Sequence, residues 1–265
     1  MKQYFTISAL FLIATMTLCA HEFWLQPATF FAKKNQPVQI QLRVGEGFIG
    51  EPWGGAASRA IVFKSLLGKK ESEHLAQVKQ NGFDSLLLQF SKEGTHLVAF
   101  ATNNKYHEME AGKFSDYLLE DGLDGIIELR KQRSQLMQPS RELYRREAAA
   151  LIQVGNKTGK VFFGNTGFDL QILPAVNPYS LNSGQKLDFQ IQFQGQPLVN
   201  ALVRHWVKPG LGEVSTALRT DTRGRVTFTL ASGDNMISVV HMFEHSDTEK
   251  ADWQSVWGNL TFGVR

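Results

Sequence analysis

The fold is decided by residues 186–193, which read KLDFQIQF. Leu187, Phe189, Ile191 and Phe193 alternate with polar residues, and this period of two is typical of a strand with one buried face. The same alternation recurs downstream at 203–207, 226–230 and 237–243. The turn-forming stretches 195–197, 209–210 and 221–224 separate these segments. Short strands at this spacing predict an immunoglobulin- or transthyretin-like β-sandwich in the last hundred residues.

The first third of the chain shows the same kind of pattern. Val38, Ile40, Leu42 and Val44 alternate with polar residues, and further apolar segments of strand length follow. They lie at 61–63, 86–90 and 96–100. We therefore predict an N-terminal antiparallel β-sandwich.

The middle of the chain has a different period. Residues 110–133 place Phe114, Tyr117 and Leu118 at helical spacing, and a second short helix is expected after Gly122. Residues 140–155 are charged first and apolar later, and we interpret them as a strand that ends near Val154. The fold class is thus mostly β, with two β-sandwich regions joined by a short helical insert. The predicted parts are 1–20, a signal peptide; 21–105, the first sandwich; 106–160, the insert and connecting strand; and 161–265, the second sandwich.

The first twenty residues predict export. A basic start at Lys2, an apolar run over 7–18 and a small residue at Ala20 follow the order of a secretory signal peptide. The apolar run is shorter than the roughly 20 residues of a transmembrane helix, so we expect a soluble periplasmic protein. Lipidation of Cys19 is the alternative, but Leu18 is large for that cleavage site. Cleavage after Ala20 would remove the single cysteine and with it any disulfide.

Composition excludes one class of partner. The formal net charge is only +3, and Lys and Arg form no dense stripe. We therefore expect no nucleic-acid partner.

Cleavage after Ala20 would make His21 the first residue. An N-terminal histidine offers two nitrogen donors, the α-amine and imidazole Nδ1, which close a six-membered chelate ring. Both groups lose their proton near neutral pH, and nitrogen donors suit Ni, Co, Cu and Zn. The competing interpretation is an ordinary frayed terminus. The apolar residues Phe23, Trp24 and Leu25 favour the first interpretation, because they would hold the terminus against a sandwich.

The remaining ligands of the predicted metal site come from the end of the chain. His241 and His245 flank Phe243, and Asp252 lies in the following acidic loop. His241 has a core-facing pattern and His245 and Asp252 fit a solvated turn equally well, so each also has a purely structural interpretation. His107, with Glu108 and Glu110, forms a second candidate cluster whose alternative is an exposed helix cap. His74, His96 and His205 are interpreted as structural.

The sequence does not predict an enzyme. It lacks the HExxH, GxSxG and phosphate-binding GxxxxGK[ST] motifs, and no carboxylate spacing singles out an acid–base pair. Residues 141–146 (RELYRR) are dense in guanidinium groups that can hold a carboxylate, from Glu142 or from the helical insert. This segment is interpreted as an ion-paired junction between the β regions, with a docking patch for a membrane partner as the alternative.

Four stretches carry a family resemblance. They are 21–27 (HEFWLQP), 114–123 (FSDYLLEDGL), 141–146 (RELYRR) and 253–262 (WQSVWGNLTF). Together they resemble the DUF4198 family of periplasmic proteins. The resemblance implies an accessory protein of nickel or cobalt uptake that works beside a membrane transporter. His21 matches the family's opening histidine, and His241 falls where a histidine often precedes the closing Trp-rich strand. The turns at 195–197 and 220–224 also resemble carboxypeptidase-regulatory and collagen-adhesin B-type sandwiches, which bears on fold alone.

Two functions follow as hypotheses. The first is a periplasmic binding protein for a divalent transition metal, nickel or cobalt with copper or zinc as alternatives, held by His21, His241 and His245 or Asp252. The second is a non-catalytic interaction module of the cell envelope that binds through its loops. A copper-dependent oxygenase shares the N-terminal histidine, but the rest of the chain does not resemble that family.

Overall fold

The computed structural model describes residues 22–81, 86–159, 166–208 and 214–265. Within these ranges the chain forms eighteen strands and three α-helices. The strands of the first half are β1 (Glu22–Pro27), β2 (Phe31–Ala32), β3 (Pro37–Glu46), β4 (Ile49–Pro52), β5 (Ala60–Leu67), β6 (Lys70–Glu73), β7 (Leu87–Gln89), β8 (Gly94–Thr102) and β9 (Lys105–Met109). Those of the second half are β10 (Ser140–Val154), β11 (Leu170–Pro174), β12 (Lys186–Phe193), β13 (Gln196–Pro197), β14 (Leu202–Lys208), β15 (Val214–Arg219), β16 (Arg225–Thr229), β17 (Gly233–Glu244) and β18 (Trp253–Val264). The helices are α1 (Leu75–Asn81), α2 (Ala111–Glu120) and α3 (Asp124–Gln132).

The described strands form three sheets. The largest has ten strands, in the order β15-β14-β17-β18-β10-β8-β5-β6, with β2 and β9 also paired to β10. A four-stranded sheet of β1, β3, β4 and β7 comes from the N-terminal half, and another of β11, β12, β13 and β16 comes from the C-terminal half. The mostly β class and the β-sandwich packing predicted from the alternating pattern are therefore confirmed.

The two halves share the large sheet through one pair of strands. Strands β10 and β18 run parallel, from Glu142 opposite Trp253 to Ala150 opposite Thr261. The predicted connecting strand is therefore the central strand of the molecule. Alternation reports which face of a strand is buried, but the choice of neighbour is made by the fold as a whole.

Strand β10 contributes to two hydrophobic cores on opposite faces. Ala148, Ala150 and Ile152 pack with the N-terminal four-stranded sheet. Ala149 and Leu151 pack with the C-terminal four-stranded sheet. Because successive strand residues point to opposite faces, a strand covered on both sides is apolar throughout. This explains why the second half of the segment 140–155 is mostly apolar.

The helical insert forms a third cluster against the large sheet. Phe114, Tyr117 and Leu118 of α2 are buried, as helical spacing predicts, and they pack with Met242 and Trp253. Helix α1 is an element that the sequence pattern did not predict. None of the described helices is both long and apolar enough to span a membrane.

Candidate binding site at the amino-terminal end of β1

The ligands predicted from sequence do not assemble in the described part of the chain. His21 lies outside the described residues. Among residues 22–81, 86–159, 166–208 and 214–265, no three His, Cys, Asp or Glu side chains are grouped so that they could hold a metal ion.

His241 lies on the face of the large sheet that carries the C-terminal core. Its ring is half-buried, with ring centroids 4.4 Å from Phe193 and 5.6 Å from Phe243. Burial lowers the pKa of His241 to about 4, so the imidazole is neutral. Strand β1 packs on the other face. Glu22 contacts Ser238, which precedes His241 by three positions in β17, so the two side chains point to opposite sides. His241 and the start of β1 therefore lie on opposite faces of the large sheet.

His245 and Asp252 lie in the loop between β17 and β18, where both have local partners. Nδ1 of His245 accepts a hydrogen bond from the backbone N–H of Asp247 at 3.1 Å. Asp252 accepts from Nη2 of Arg141 at 2.7 Å and from the backbone N–H of Arg141 at 2.9 Å. His245 lies seven positions beyond Ser238, and Asp252 lies seven positions before Asn259, the residues on the face that Glu22 covers. At 3.3 Å per residue, seven positions along a strand span about 23 Å. The structure therefore gives Asp252 the role of carboxylate partner to Arg141, which the sequence assigned to Glu142 or to the helical insert.

The second predicted cluster lies along strand β9 and the residue after it. His107 is half-buried opposite Glu142, and burial lowers its pKa. Glu108 accepts a hydrogen bond from the Tyr106 hydroxyl at 3.1 Å, and Glu110 is exposed before α2. These three residues belong to no metal-holding group in the described chain.

A small cavity with a few polar side chains in a mostly apolar lining lies at the start of β1 instead. Arg204, Ser238 and Asn259 stand opposite one another on β14, β17 and β18, so their side chains share one face of the sheet. Glu22 covers this row, and together with Trp257 these residues line a cavity of about 10 Å³. That volume is about the size of one water molecule or one ion.

Glu22 is the central group of this cavity. Its side chain is 6 % exposed, and Oε1 accepts a hydrogen bond from the Ser238 hydroxyl at 3.4 Å. The Ser238 oxygen in turn accepts from Nε1 of Trp206 at 3.0 Å. Burial raises the pKa of Glu22 to about 8 although the charge of Arg204 opposes the shift. The carboxyl group therefore holds a proton at neutral pH unless a cation replaces it.

Asn259 lies beside Glu22 and is 5 % exposed. Neither its Nδ2 nor its Oδ1 has a hydrogen-bond partner among the described residues. A buried amide without a protein partner is costly, so this group is available to whatever enters the cavity.

Two further buried carboxyl groups lie where the helical insert meets the large sheet. Asp121 follows α2 and pairs with Arg204, whose Nη1 lies 2.8 Å from Oδ1, while Oδ2 has no partner in the described chain. Glu142 of β10 accepts hydrogen bonds from the hydroxyls of Tyr117 and Ser255. Burial raises the pKa of each carboxyl group to about 7. The helical insert, β1 and the large sheet thus meet at an acidic, water-poor junction.

Sequence reasoning missed this junction for a physical reason. Glu22, Asp121 and Asn259 are far apart in the chain and come together only through the sheet order. One signal was present in the sequence. Glu22 stands next to the apolar stretch 23–25, and a carboxylate that opens a buried strand needs a polar partner.

The family comparison bears on the chain as a whole. A family model described as a domain of unknown function, DUF4198, matches residues 18–243. The chain belongs to the DUF4198 family. This match confirms the resemblance drawn from the four stretches quoted above, and it carries no statement on metal binding.

Other comparisons add little to the DUF4198 assignment. No curated protein matches the chain. Among solved structures, the three N-terminal domains of the bacteriophage RB49 highly immunogenic outer capsid protein (Hoc) are 9% identical, with a TM-score of 0.21. The match covers 91% of this chain and 59% of that chain, so this DUF4198 protein spans about three fifths of the phage chain. At this TM-score the likeness carries no argument.

Proposed function

We propose that this DUF4198 protein is a periplasmic binding protein for a divalent transition metal, nickel or cobalt, and that it serves uptake by a membrane transporter. The ion is cargo. The proposed site lies at the amino-terminal end of β1 and is built on the α-amine and imidazole of His21. The observation that carries the proposal is the burial of Glu22, the next residue, at an ion-sized cavity.

A fixed Glu22 matters because a chelate gains affinity from preorganisation. Glu22, Phe23, Trp24 and Leu25 are all at most 6 % exposed, and β1 pairs with β3 from its first residue. The residue that precedes Glu22 is covalently tied to this rigid strand. Less conformational entropy is then lost when its donors close around an ion.

Two side chains that line the cavity offer oxygen ligands to a cation. Glu22 offers a carboxyl oxygen and Asn259 an amide oxygen. The Glu22 carboxyl group accepts one long side-chain hydrogen bond, from Ser238, and the Asn259 amide has no hydrogen-bond partner among the described residues. Entry of a divalent ion lowers the pKa of a neighbouring carboxyl group and releases its proton. Oxygen donors beside a nitrogen chelate do not select one metal, because affinity follows the Irving–Williams order.

This proposal omits His241, His245 and Asp252 from the coordination sphere. The first lies on the opposite face of the large sheet, and the other two have local partners in the β17–β18 loop. The role in uptake rests on the family resemblance. A non-catalytic interaction module remains the competing function, and it requires no metal.

Calorimetric titration of tag-free protein with Ni²⁺, Co²⁺, Cu²⁺ and Zn²⁺ tests the proposal, after mass spectrometry has confirmed His21 as the first residue. We expect one site per chain in the wild type and a loss of at least about 100-fold in affinity for His21→Ala, because both the imidazole and the chelate ring are lost. His74→Ala is the matched control and should bind as the wild type. A metal-free protein that ignores all four ions would favour the interaction module.

A further inference from the structure

The arginine-rich segment 141–146 contains one guanidinium group that no described carboxylate neutralises. Arg141 pairs with Asp252, and Arg145 pairs with Glu147 and Asp169. Arg146 has no carboxylate within 4 Å among the described residues, and its Nε is buried without an acceptor. The predicted ion-paired junction therefore accounts for two of the three arginines.

A second unneutralised guanidinium group lies close to Arg146. Arg59 ends a short 3-10 helix (Ala57–Arg59), and no described carboxylate lies within 4 Å of it. The Cζ atoms of Arg59 and Arg146 lie 5.3 and 5.5 Å from the same ring, that of Tyr144. Arg59 and Arg146 are hereafter called the arginine pair.

Two cations in one partly dry environment repel each other. Burial, together with the charge of Arg59, lowers the pKa of Arg146 to about 10. Aromatic faces offset part of the cost: Phe23 lies 5.3 Å from Arg146, and Trp53 lies 5.9 Å from Arg59. Cation–π contacts leave the net charge of the pair unchanged, so an anion is still needed to neutralise it.

The arginine pair is accessible and at least partly fixed. Arg59, Tyr144 and Arg146 are each half-buried, so solvent reaches part of each side chain. Nη2 of Arg59 donates to the backbone carbonyl of Asn103 at 2.9 Å, which holds the guanidinium group in place. Preorganised guanidinium groups lose little entropy when they bind an anion.

We propose that the arginine pair binds the carboxylate group of a small organic anion. The planar fork of a guanidinium group matches the two oxygens of a carboxylate. The half-buried ring of Tyr144 provides apolar surface for the body of such a molecule, which inorganic phosphate does not have. This site contains no proposed metal ligand, so a test of anion binding is independent of the metal proposal.

Calorimetric titration of metal-free wild-type protein with succinate, at low ionic strength, tests the inference. Parallel titrations use inorganic phosphate, and chloride at equal ionic strength. We expect succinate to bind and both Arg59→Gln and Arg146→Gln to weaken it by at least about tenfold, the loss of one charge-assisted pair. Arg223→Gln is the matched control, because Arg223 is an exposed arginine elsewhere, and it should bind as the wild type. Equal succinate affinity in all four proteins, or binding no tighter than chloride, would overturn the inference. Phosphate binding tighter than succinate would overturn the carboxylate assignment.

Arg146→Gln changes a partly buried residue, so two additional measurements guard against misfolding. Arg146→Lys keeps the charge but lacks the fork, and it should also bind succinate more weakly than the wild type. Without ligand at low salt, Arg59→Gln should melt at the same temperature as the wild type or higher, because repulsion is relieved. It should lose the rise in melting temperature that succinate causes in the wild type. An undiminished rise in Arg59→Gln would contradict the inference.

Discussion

The hydroxyl group of Tyr117 in α2 donates a hydrogen bond to Oε1 of Glu142 in β10 at 3.1 Å. This contact ties the helical insert to the central strand of the molecule. Both side chains are at most 2 % exposed, and Trp257 stacks on the Tyr117 ring with centroids 5.7 Å apart. A carboxyl group at such a place makes the stability of the fold depend on pH.

Glu142→Gln should flatten the pH dependence of stability. Burial raises the pKa of Glu142 from 4.5 to about 7, so the unfolded chain releases this proton at lower pH than the folded chain. The contribution of Glu142 to folding is therefore most favourable below about pH 4.5 and falls until about pH 7, by on the order of 3 kcal/mol. Denaturant unfolding of both proteins between pH 4.5 and 7.5 measures the difference. The exposed Glu128→Gln on α3 is the control, and an unchanged slope in Glu142→Gln would refute the assignment.

Asp252→Ala should cost stability and leave metal binding intact. The substitution removes the contacts of this carboxylate with the side chain and backbone N–H of Arg141, worth about 1–2 kcal/mol together at this partly exposed position. Urea unfolding gives the loss, and nickel titration should give an affinity within about twofold of the wild type. A large loss of nickel affinity in a folded protein would restore Asp252 as a ligand.

His241→Ala should likewise bind nickel as the wild type does. The imidazole packs between Phe193 and Phe243 on the face of the sheet opposite β1, so its removal leaves the proposed site unchanged. Titration beside His21→Ala separates the two histidines. Parallel losses in both variants would mean that one coordination sphere contains both residues.

The shared sheet predicts that the two halves unfold together. Phe63 belongs to the N-terminal core and Phe189 to the C-terminal core, and both are fully buried. Phe63→Ala and Phe189→Ala should each lower the free energy of unfolding by about 3–5 kcal/mol. In scanning calorimetry each variant should shift one common transition, because β10 and β18 join both cores. Two transitions, of which each variant shifts only one, would contradict a cooperative sheet.

Much of the fold was predictable because alternation is a local property. The pattern at 187–193 lies within β12, the one at 38–44 lies within β3, and Phe114, Tyr117 and Leu118 form the buried face of α2. The burial of Phe23, Trp24 and Leu25 was also predicted, since a run of large apolar side chains must leave water.

The sheet order and the site were not predictable in the same way. That β10 pairs in parallel with β18 depends on contacts between distant parts of the chain. The sequence therefore grouped His21 with His241 in one predicted site. In the fold, β1 packs on one face of the large sheet and His241 lies on the other face. Within the described residues, the Asn259 amide and Nε of Arg146 have no hydrogen-bond partner, and this is recognisable only when their neighbours are known, because most residues of these types find partners.

The most direct test of the proposed metal site is the nickel affinity of a variant with one alanine inserted between Ala20 and His21, once mass spectrometry has confirmed that the mature chain begins with that alanine. The inserted residue turns the α-amine of His21 into a peptide nitrogen and leaves its imidazole and the fold unchanged. We expect at least about a 100-fold loss of affinity relative to the chain that begins with His21. Equal affinity in the two proteins would contradict a site built on the terminal amine.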